Sequence, residues 1–309
     1  MPPPSPPSAA LPRPPRVAVA LPARWAAYVE LTKPRLLSLV IVTTVLGYLL
    51  AGGSAADWRR LLATAVGTSL VGGGANALNQ WWEVLRDARM RRTQGRPLPT
   101  HRVSRRESVV VALLLTGAGL VVLAAGVQGL TASLALASWC LYVFAYTPLK
   151  PRTPFNTIVG AVSGAIPPAI GWTAATGRVG AGAWVLFAIL FVWQIPHFLS
   201  IAWIHRRDYE AGGFRMLPVV DPDGSSTFTI AVAYALGLLP AAWAAAFAGL
   251  AGWLYLVGST LLGLGMVAAA LALHRKRTVE SARALFFASL AYLPSLFLLM
   301  LLDPTRLPR

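Results

Sequence analysis

At 309 residues, with 56% hydrophobic and only 12% charged side chains, the chain falls outside the soluble globular class, in which about 25% of residues are charged. Its net charge of +16, from 27 Lys and Arg against 11 Asp and Glu, would suggest nucleic acid in a soluble protein. Here the cations gather in alternate connecting segments, which argues for orientation in a lipid bilayer and against nucleic acid.

Apolar runs of the length a bilayer requires, about 20 residues each, recur along the chain. Nine are expected, at roughly 36–52, 61–80, 108–126, 130–147, 156–175, 182–203, 227–248, 252–273 and 282–301. The fold class this implies is all-α: a polytopic membrane bundle of nine transmembrane helices, with a watery cavity opening to the inner face. Segments assigned to the inner side hold Arg13, Arg16, Arg24, Lys33, Arg35, the cluster from Arg86 to Arg106, Lys150, Arg152, Arg206, Arg207, Arg215 and the basic run at 275–277. The outer ones hold only Arg59, Arg60, Arg178, Arg306 and Arg309. The positive-inside rule then places the N-terminus in the cytoplasm and the C-terminus outside.

Residues 1–27 open the chain with a Pro-rich stretch expected to be a disordered inner tail. Residues 28–303 form the membrane domain and 304–309 a short outer tail. Tyr28 to Arg35 looks like an interfacial lead-in, with Pro34 in the first helical turn. Lys33 and Arg35 there either anchor the helix at lipid headgroups or reach a phosphate. The second span carries Gly72-Gly73-Gly74-Ala75, small residues that let membrane helices approach closely. It forms no nucleotide-phosphate motif.

Polar groups arrive at the end of this span. Asn79, Glu83 and Asp87 stand at i, i+4 and i+8 and share one helix face. One amide carbonyl and two carboxylates are hard oxygen ligands that suit Mg²⁺. Arg86, Arg89, Arg91, Arg92 and Arg96 follow and can bind phosphate in bidentate fashion. The plainer alternative is a helix end whose carboxylates pair with nearby arginines. The next inner loop, Tyr146 to Asn156, sets Lys150 and Arg152 among three prolines, as a stiff positive-inside turn or a phosphate contact. Pro167-Pro168 predicts a broken helix, tolerated where protein or a cavity covers the freed backbone. Cys140, the single cysteine, reads as packing.

The sixth span ends Trp193-Gln194-Ile195-Pro196-His197-Phe198. A Gln and a His beside a proline in an apolar span should face the bundle interior, with a packed, satisfied histidine as the competing reading. His101, His205 and His274 adjoin arginines and are expected to be solvated. Asp208 follows the sixth span much as Asp87 follows the second, hinting at two pseudo-equivalent halves. The last three spans carry almost no polar interior and are expected to be structural.

Five stretches together resemble the protohaem IX farnesyltransferase branch of the intramembrane aromatic prenyltransferases, which are related to 4-hydroxybenzoate polyprenyltransferase. They are Leu31-Thr-Lys-Pro-Arg35; Asn79-x-x-x-Glu83-x-x-x-Asp87 continuing to Arg92-Thr93 and Arg96-Pro97-Leu98; Tyr146-Thr147-x-Leu149-Lys150; Trp193-Gln194-x-Pro196-His197-Phe198; and Asp208-Tyr209 leading to Met216-Leu217-Pro218. The resemblance runs from Leu31 to Pro218. It implies farnesyl transfer to haem b, giving haem O for haem-copper oxidase biogenesis, at the cell inner membrane. Haem A synthase or oxidase-assembly proteins would be partners. It implies a Mg²⁺ cluster of Asn79, Glu83 and Asp87 completed by Asp208, with diphosphate held by Arg92, Arg96, Lys150, Lys33 and Arg152. A haem or prenyl pocket would comprise His197, Trp193, Gln194, Tyr146, Phe198 and Asn156, with His197 facing haem. Two departures stand out. Glu83 occupies a position where the superfamily commonly has Asp, and Ile204 stands four residues before Asp208, where a second carboxylate would complete a symmetrical pair.

Overall fold

The computed structural model describes residues 21–303, and among them all regular structure is helical. The expectations for the first twenty residues and for 304–309 lie outside the described residues. Helix α1 spans Leu21–Leu31, so helix begins ahead of the expected boundary at 28. Then come α2 (Pro34–Leu50), α3 (Trp58–Asp87) and α4 (Arg105–Gly126). Next are α5 (Gly129–Leu149), α6 (Asn156–Thr176) and α7 (Ala181–Ile204). Two short helices follow, α8 (Arg206–Ala211) and α9 (Leu217–Val220). The chain closes with α10 (Ser225–Phe247), α11 (Trp253–Lys276) and α12 (Val279–Leu302). Eight of these helices are long and apolar enough to cross a membrane, and α1 with α2, bent by 47°, make a ninth when counted as one span. The chain is a multi-pass membrane protein.

Outward-facing Leu113, Leu114, Leu254 and Leu261 are all more than half exposed, as lipid-facing side chains should be. Inside, one core gathers Val71, Leu123, Val143 and Ile170 from α3 to α6. A second gathers Leu186, Phe228, Tyr255, Tyr292 and Phe297 from α7 and α10 to α12. Helix α6 crosses between them, since Ala161 and Ala165 of its first half belong to the second core. A small cluster of Met90, Ala202, Phe214 and Met216 ties the connecting segments of both halves together.

Breaks and small residues set the helix spacing. The Pro167-Pro168 pair splits α6 into Asn156–Ala165 and Pro167–Thr176. The second piece lies directly on α2. A Cβ on Gly171 would stand 1.8 Å from the Thr44 carbonyl oxygen, and one on Gly47 would stand 2.1 Å from that of Pro168. Only glycine permits this approach, which covers the backbone that the prolines leave free. Gly74 does the same between α3 and α4, its Cβ position lying 2.6 Å from the Ala112 oxygen.

Helix α3 is the longest element at 30 residues. Its capping Asp57 accepts from the Arg60 amide at one end, and Asp87 closes the other. Its polar face near that end is the candidate site.

Candidate active site

Asn79, Glu83 and Asp87 lie along α3 at 0%, 5% and 0% exposure, so the expected stack on one helix is buried rather than washed by solvent. Burial of such groups demands partners, and each oxygen has one from a different segment. Lys33 Nζ donates to Asn79 Oδ1 at 2.6 Å. Lys150 Nζ donates to Glu83 Oε1 at 2.8 Å. Arg96 Nη1 donates to both Asp87 oxygens, at 2.9 and 2.7 Å.

Local structure explains how three cations reach one face. Lys33 sits between α1 and α2 in the left-handed region, at φ 53 and ψ 63, a conformation that a lysine rarely adopts without surrounding constraint. That constraint comes from α3. Asn76 Nδ2 donates to the Thr32 carbonyl at 2.9 Å and Gln80 Nε2 to that of Leu31 at 2.9 Å. Pro34 at the first helical position then starts α2. Arg96 returns to Asp87 through a tight loop in which Thr93 Oγ1 donates to the Asp87 carbonyl at 3.0 Å. Buried Leu98 and Val103 pin that loop to the core.

Lys150 arrives by a change of helical pitch. The stretch Leu141–Tyr146 of α5 is π-helical, a local widening that often marks functional positions. It turns Thr147 onto α3, where its hydroxyl donates to the Tyr142 carbonyl and accepts from Asn79 Nδ2 at 3.1 Å. Lys150 then stands 4.5 Å from the centre of the Tyr146 ring. Burial alone pulls the Lys150 pKa down, but the Glu83 carboxylate beside it outweighs burial and raises the pKa above the ordinary lysine value. The side chain is therefore an ammonium.

Other expected residues are placed differently. Asp208, on α8, accepts from the Arg92 backbone amide at 3.4 Å. Arg92 itself reaches the Tyr209 hydroxyl at 3.4 Å and lies 5.6 Å from that ring's centre. Among the described residues no three His, Cys, Asp or Glu side chains converge into a metal cluster, so Asp208 does not join Glu83 and Asp87 here. The donor set of α3 still fits Mg²⁺, which binds through one or two carboxylates together with substrate phosphates and water.

Arg152 is exposed. With Arg86 it lines a cavity of about 270 Å³ beside Glu83, walled by Trp82, Pro148 and Phe214. Asn156 is buried, donating to the Thr153 carbonyl at 2.6 Å and the Arg215 carbonyl at 3.3 Å.

Gln194 donates to the Leu190 carbonyl at 3.1 Å and the Ala161 carbonyl at 3.3 Å, joining α7 to α6. His197 stacks between Trp193 and Phe286, with ring centres 4.8 and 5.2 Å away. Its Nδ1 meets Ser289 Oγ at 2.7 Å, and Trp193 Nε1 donates to the Ser289 carbonyl at 2.8 Å. These are packing contacts between α7 and α12, the alternative that the sequence left open. Phe198 neighbours His197 at 5.8 Å. His274, expected to be solvated, has a buried Nδ1 without a partner.

Sequence reasoning missed Asn76, Gln80 and Tyr142, and gave Thr147 no role of its own. Asn76 and Gln80 did carry a signal: two amides four residues apart in an otherwise apolar span, which must find partners inside the protein. Tyr142 had none, because its role depends on the π-helical stretch.

The UbiA prenyltransferase family profile matches residues 40–291. The chain is 44% identical over 285 residues to the Protoheme IX farnesyltransferase of Solibacter usitatus (strain Ellin6076), covering 89% of this chain and 98% of the relative. Among solved structures it resembles one from work on digeranylgeranylglyceryl phosphate synthase, with a TM-score of 0.77 at 15% identity over 91% of this chain and 98% of the other. It also resembles a UbiA homologue from Archaeoglobus fulgidus bound to GPP and Mg²⁺, with a TM-score of 0.62 at 13% identity over 89% and 100%. At those identities the structures establish the shared fold.

Proposed function

Because the chain belongs to the UbiA prenyltransferase family, we propose that it is a protohaem IX farnesyltransferase, converting haem b, farnesyl diphosphate and water to haem O and diphosphate. The observation that carries the reading is the convergence of Lys33, Lys150 and Arg96, from three separate segments, on the three oxygen-bearing side chains of α3.

In the reaction the farnesyl C–O bond breaks and diphosphate leaves with the electron pair. The π electrons of a haem vinyl group form the new C–C bond, and water adds to the resulting cation and loses a proton. Such a leaving group needs preorganised positive charge around it. Asn79, Glu83 and Asp87 would hold Mg²⁺. Bound there, the ion would neutralise charge on the departing diphosphate. Lys33, Lys150 and Arg96 would exchange their α3 oxygens for diphosphate oxygens, a change of partner within the same few ångströms. Arg92 would add a further contact from the loop above. The Tyr146 face, already beside one cation, can steady the allylic cation, an interaction worth about 2 kcal/mol when desolvated. The polar face carrying these groups is the cytoplasmic side of the inner membrane, by the distribution of basic residues.

Purified protein in detergent should release diphosphate only when farnesyl diphosphate, haem b and Mg²⁺ are all present. A carrier of anionic substrates would release none under any combination, and that result would refute the enzymatic reading.

His197, whose Nδ1 is held by Ser289, is proposed to meet haem through Nε2, the tautomer being set by the serine contact. His197→Ala should shift or weaken the Soret band of bound haem and slow turnover, while farnesyl diphosphate still binds. His205→Ala should do much less. Burial and the nearby Arg92 guanidinium lower the His205 pKa, and it lies beyond the end of α7. An unchanged Soret spectrum in the His197 variant would leave that residue with packing alone.

A further inference from the structure

The cavity that Glu83 and Thr147 border adjoins the cations that meet α3, and its lining includes none of Lys33, Lys150 and Arg96. Two arginines line it, Arg86 from α3 and Arg152 from the α5–α6 connection. Among the described residues neither is within ion-pair distance of a carboxylate, whereas Lys150 and Arg96 are each tied to one. Both arginines therefore have unused, fork-shaped donors suited to a planar anion. The remaining walls are the flat, apolar faces of Trp82, Pro148, Pro151 and Phe214, with Thr147 beside them. The Arg86 guanidinium lies 5.9 Å from the centre of the Phe214 ring. Glu83 also borders the space, but its charge is matched by Lys150 at 2.8 Å in the free protein and would be matched by Mg²⁺ once the diphosphate is bound, so an incoming anion does not meet a bare carboxylate.

Paired guanidinium groups at one edge of an apolar, aromatic slot suit a flat hydrophobic molecule with carboxylates along one edge. We infer that Arg86 and Arg152 hold the two propionate carboxylates of the haem acceptor, and so act as acceptor-specificity residues rather than as diphosphate ligands. The inference rests on the proposed function and deepens it. At about 270 Å³ the space is smaller than a typical pocket for a whole drug-sized ligand, roughly 300–1,000 Å³. It therefore takes an edge of the macrocycle and not the whole. In haem b the propionates and the vinyl groups lie on different edges. Anchoring the first leaves the second projecting out of the slot, so that the allylic carbon it meets lies across the ring from Arg86 and Arg152. Trp82, 44% exposed on a membrane-spanning helix, gives the slot an apolar side by which a membrane-dissolved acceptor can approach. Arg152 is thereby assigned away from the diphosphate role that its place in the sequence suggested.

The test compares haem b with its dimethyl ester, which keeps the ring and vinyl groups and lacks the carboxylates. Soret titrations and steady-state kinetics would be run on the full-length protein, on Arg86→Gln, on Arg152→Gln and on the double variant. Wild type should bind haem b at least about tenfold more tightly than the ester, the scale of a charge-assisted hydrogen bond. Each single variant should weaken haem b binding by about tenfold and leave the ester unaffected. KM for farnesyl diphosphate should stay within about twofold throughout. Equal binding and farnesylation of haem b and its ester by wild type would overturn the inference while leaving the enzyme reading intact. So would variants whose loss falls on farnesyl diphosphate instead of haem. Failure of wild type to act on either haem would overturn the enzyme reading itself.

Discussion

Glu83→Gln and Asp87→Asn are each expected to lower kcat by at least a hundredfold, with Mg²⁺ saturating. Each substitution removes one negative charge from the only two carboxylates on the polar end of α3, and metal held opposite a diphosphate depends on ligand charge as well as ligand geometry. Stability responds differently. In a watery cavity neither change would matter to folding, but these side chains are 5% and 0% exposed and are paired with Lys150 and Arg96. Gln and Asn retain an acceptor for the cation yet leave its charge unmatched. A loss of about 1–2 kcal/mol in folding stability should accompany the loss of turnover. Near-normal product formation by either variant, in detergent-solubilised protein of verified fold, would remove α3 from the catalytic machinery.

Lys150→Met should be the most destabilising single change at the site. It deletes the partner of a buried carboxylate and leaves the Glu83 charge without compensation, an effect of roughly 3–5 kcal/mol. The same change removes a cation that would face the leaving diphosphate, so turnover should fall with it. The two effects separate in the double variant Glu83→Gln with Lys150→Met. There the buried pair is gone as a unit, and thermal unfolding should recover much of the lost stability, whereas activity should not return. Strictly additive losses in thermal unfolding would show that the two side chains do not form the pair seen at 2.8 Å.

The fold was largely legible in the sequence because a bilayer leaves few options. Every backbone group in hydrocarbon must be satisfied within a helix, so apolar runs of span length become helices, and prolines such as Pro167-Pro168 become breaks. The α3 polar face was legible for a related reason: Asn79, Glu83 and Asp87 repeat at a helical interval, and the interval survives folding. What it faces was not. Lys33 reaches Asn79 only because α1 and α2 bend by 47° at a left-handed residue, and a lysine carries no signature of that conformation. Lys150 reaches Glu83 across 67 residues of chain through a π-helical stretch that has no simple periodic mark. Asp208 is the converse case. Its place after the sixth span made it look equivalent to Asp87, but helix order says nothing of side-chain direction, and it meets the Arg92 amide instead. His197 was picked out correctly as a polar group that must be satisfied within the bundle, and the partner that satisfies it, Ser289, lies 92 residues away on α12.

The cations and oxygens gathered on α3 are proposed to serve farnesyl transfer to haem. Purified protein should be incubated with haem b, farnesyl diphosphate and Mg²⁺, and the haem extracted for mass analysis. The expected product is a haem whose mass has grown by one farnesyl group plus one hydroxyl group, formed in step with diphosphate and absent when Mg²⁺ is withheld. Haem of unchanged mass, with farnesyl diphosphate consumed by hydrolysis or by transfer to a different aromatic acceptor, would contradict it.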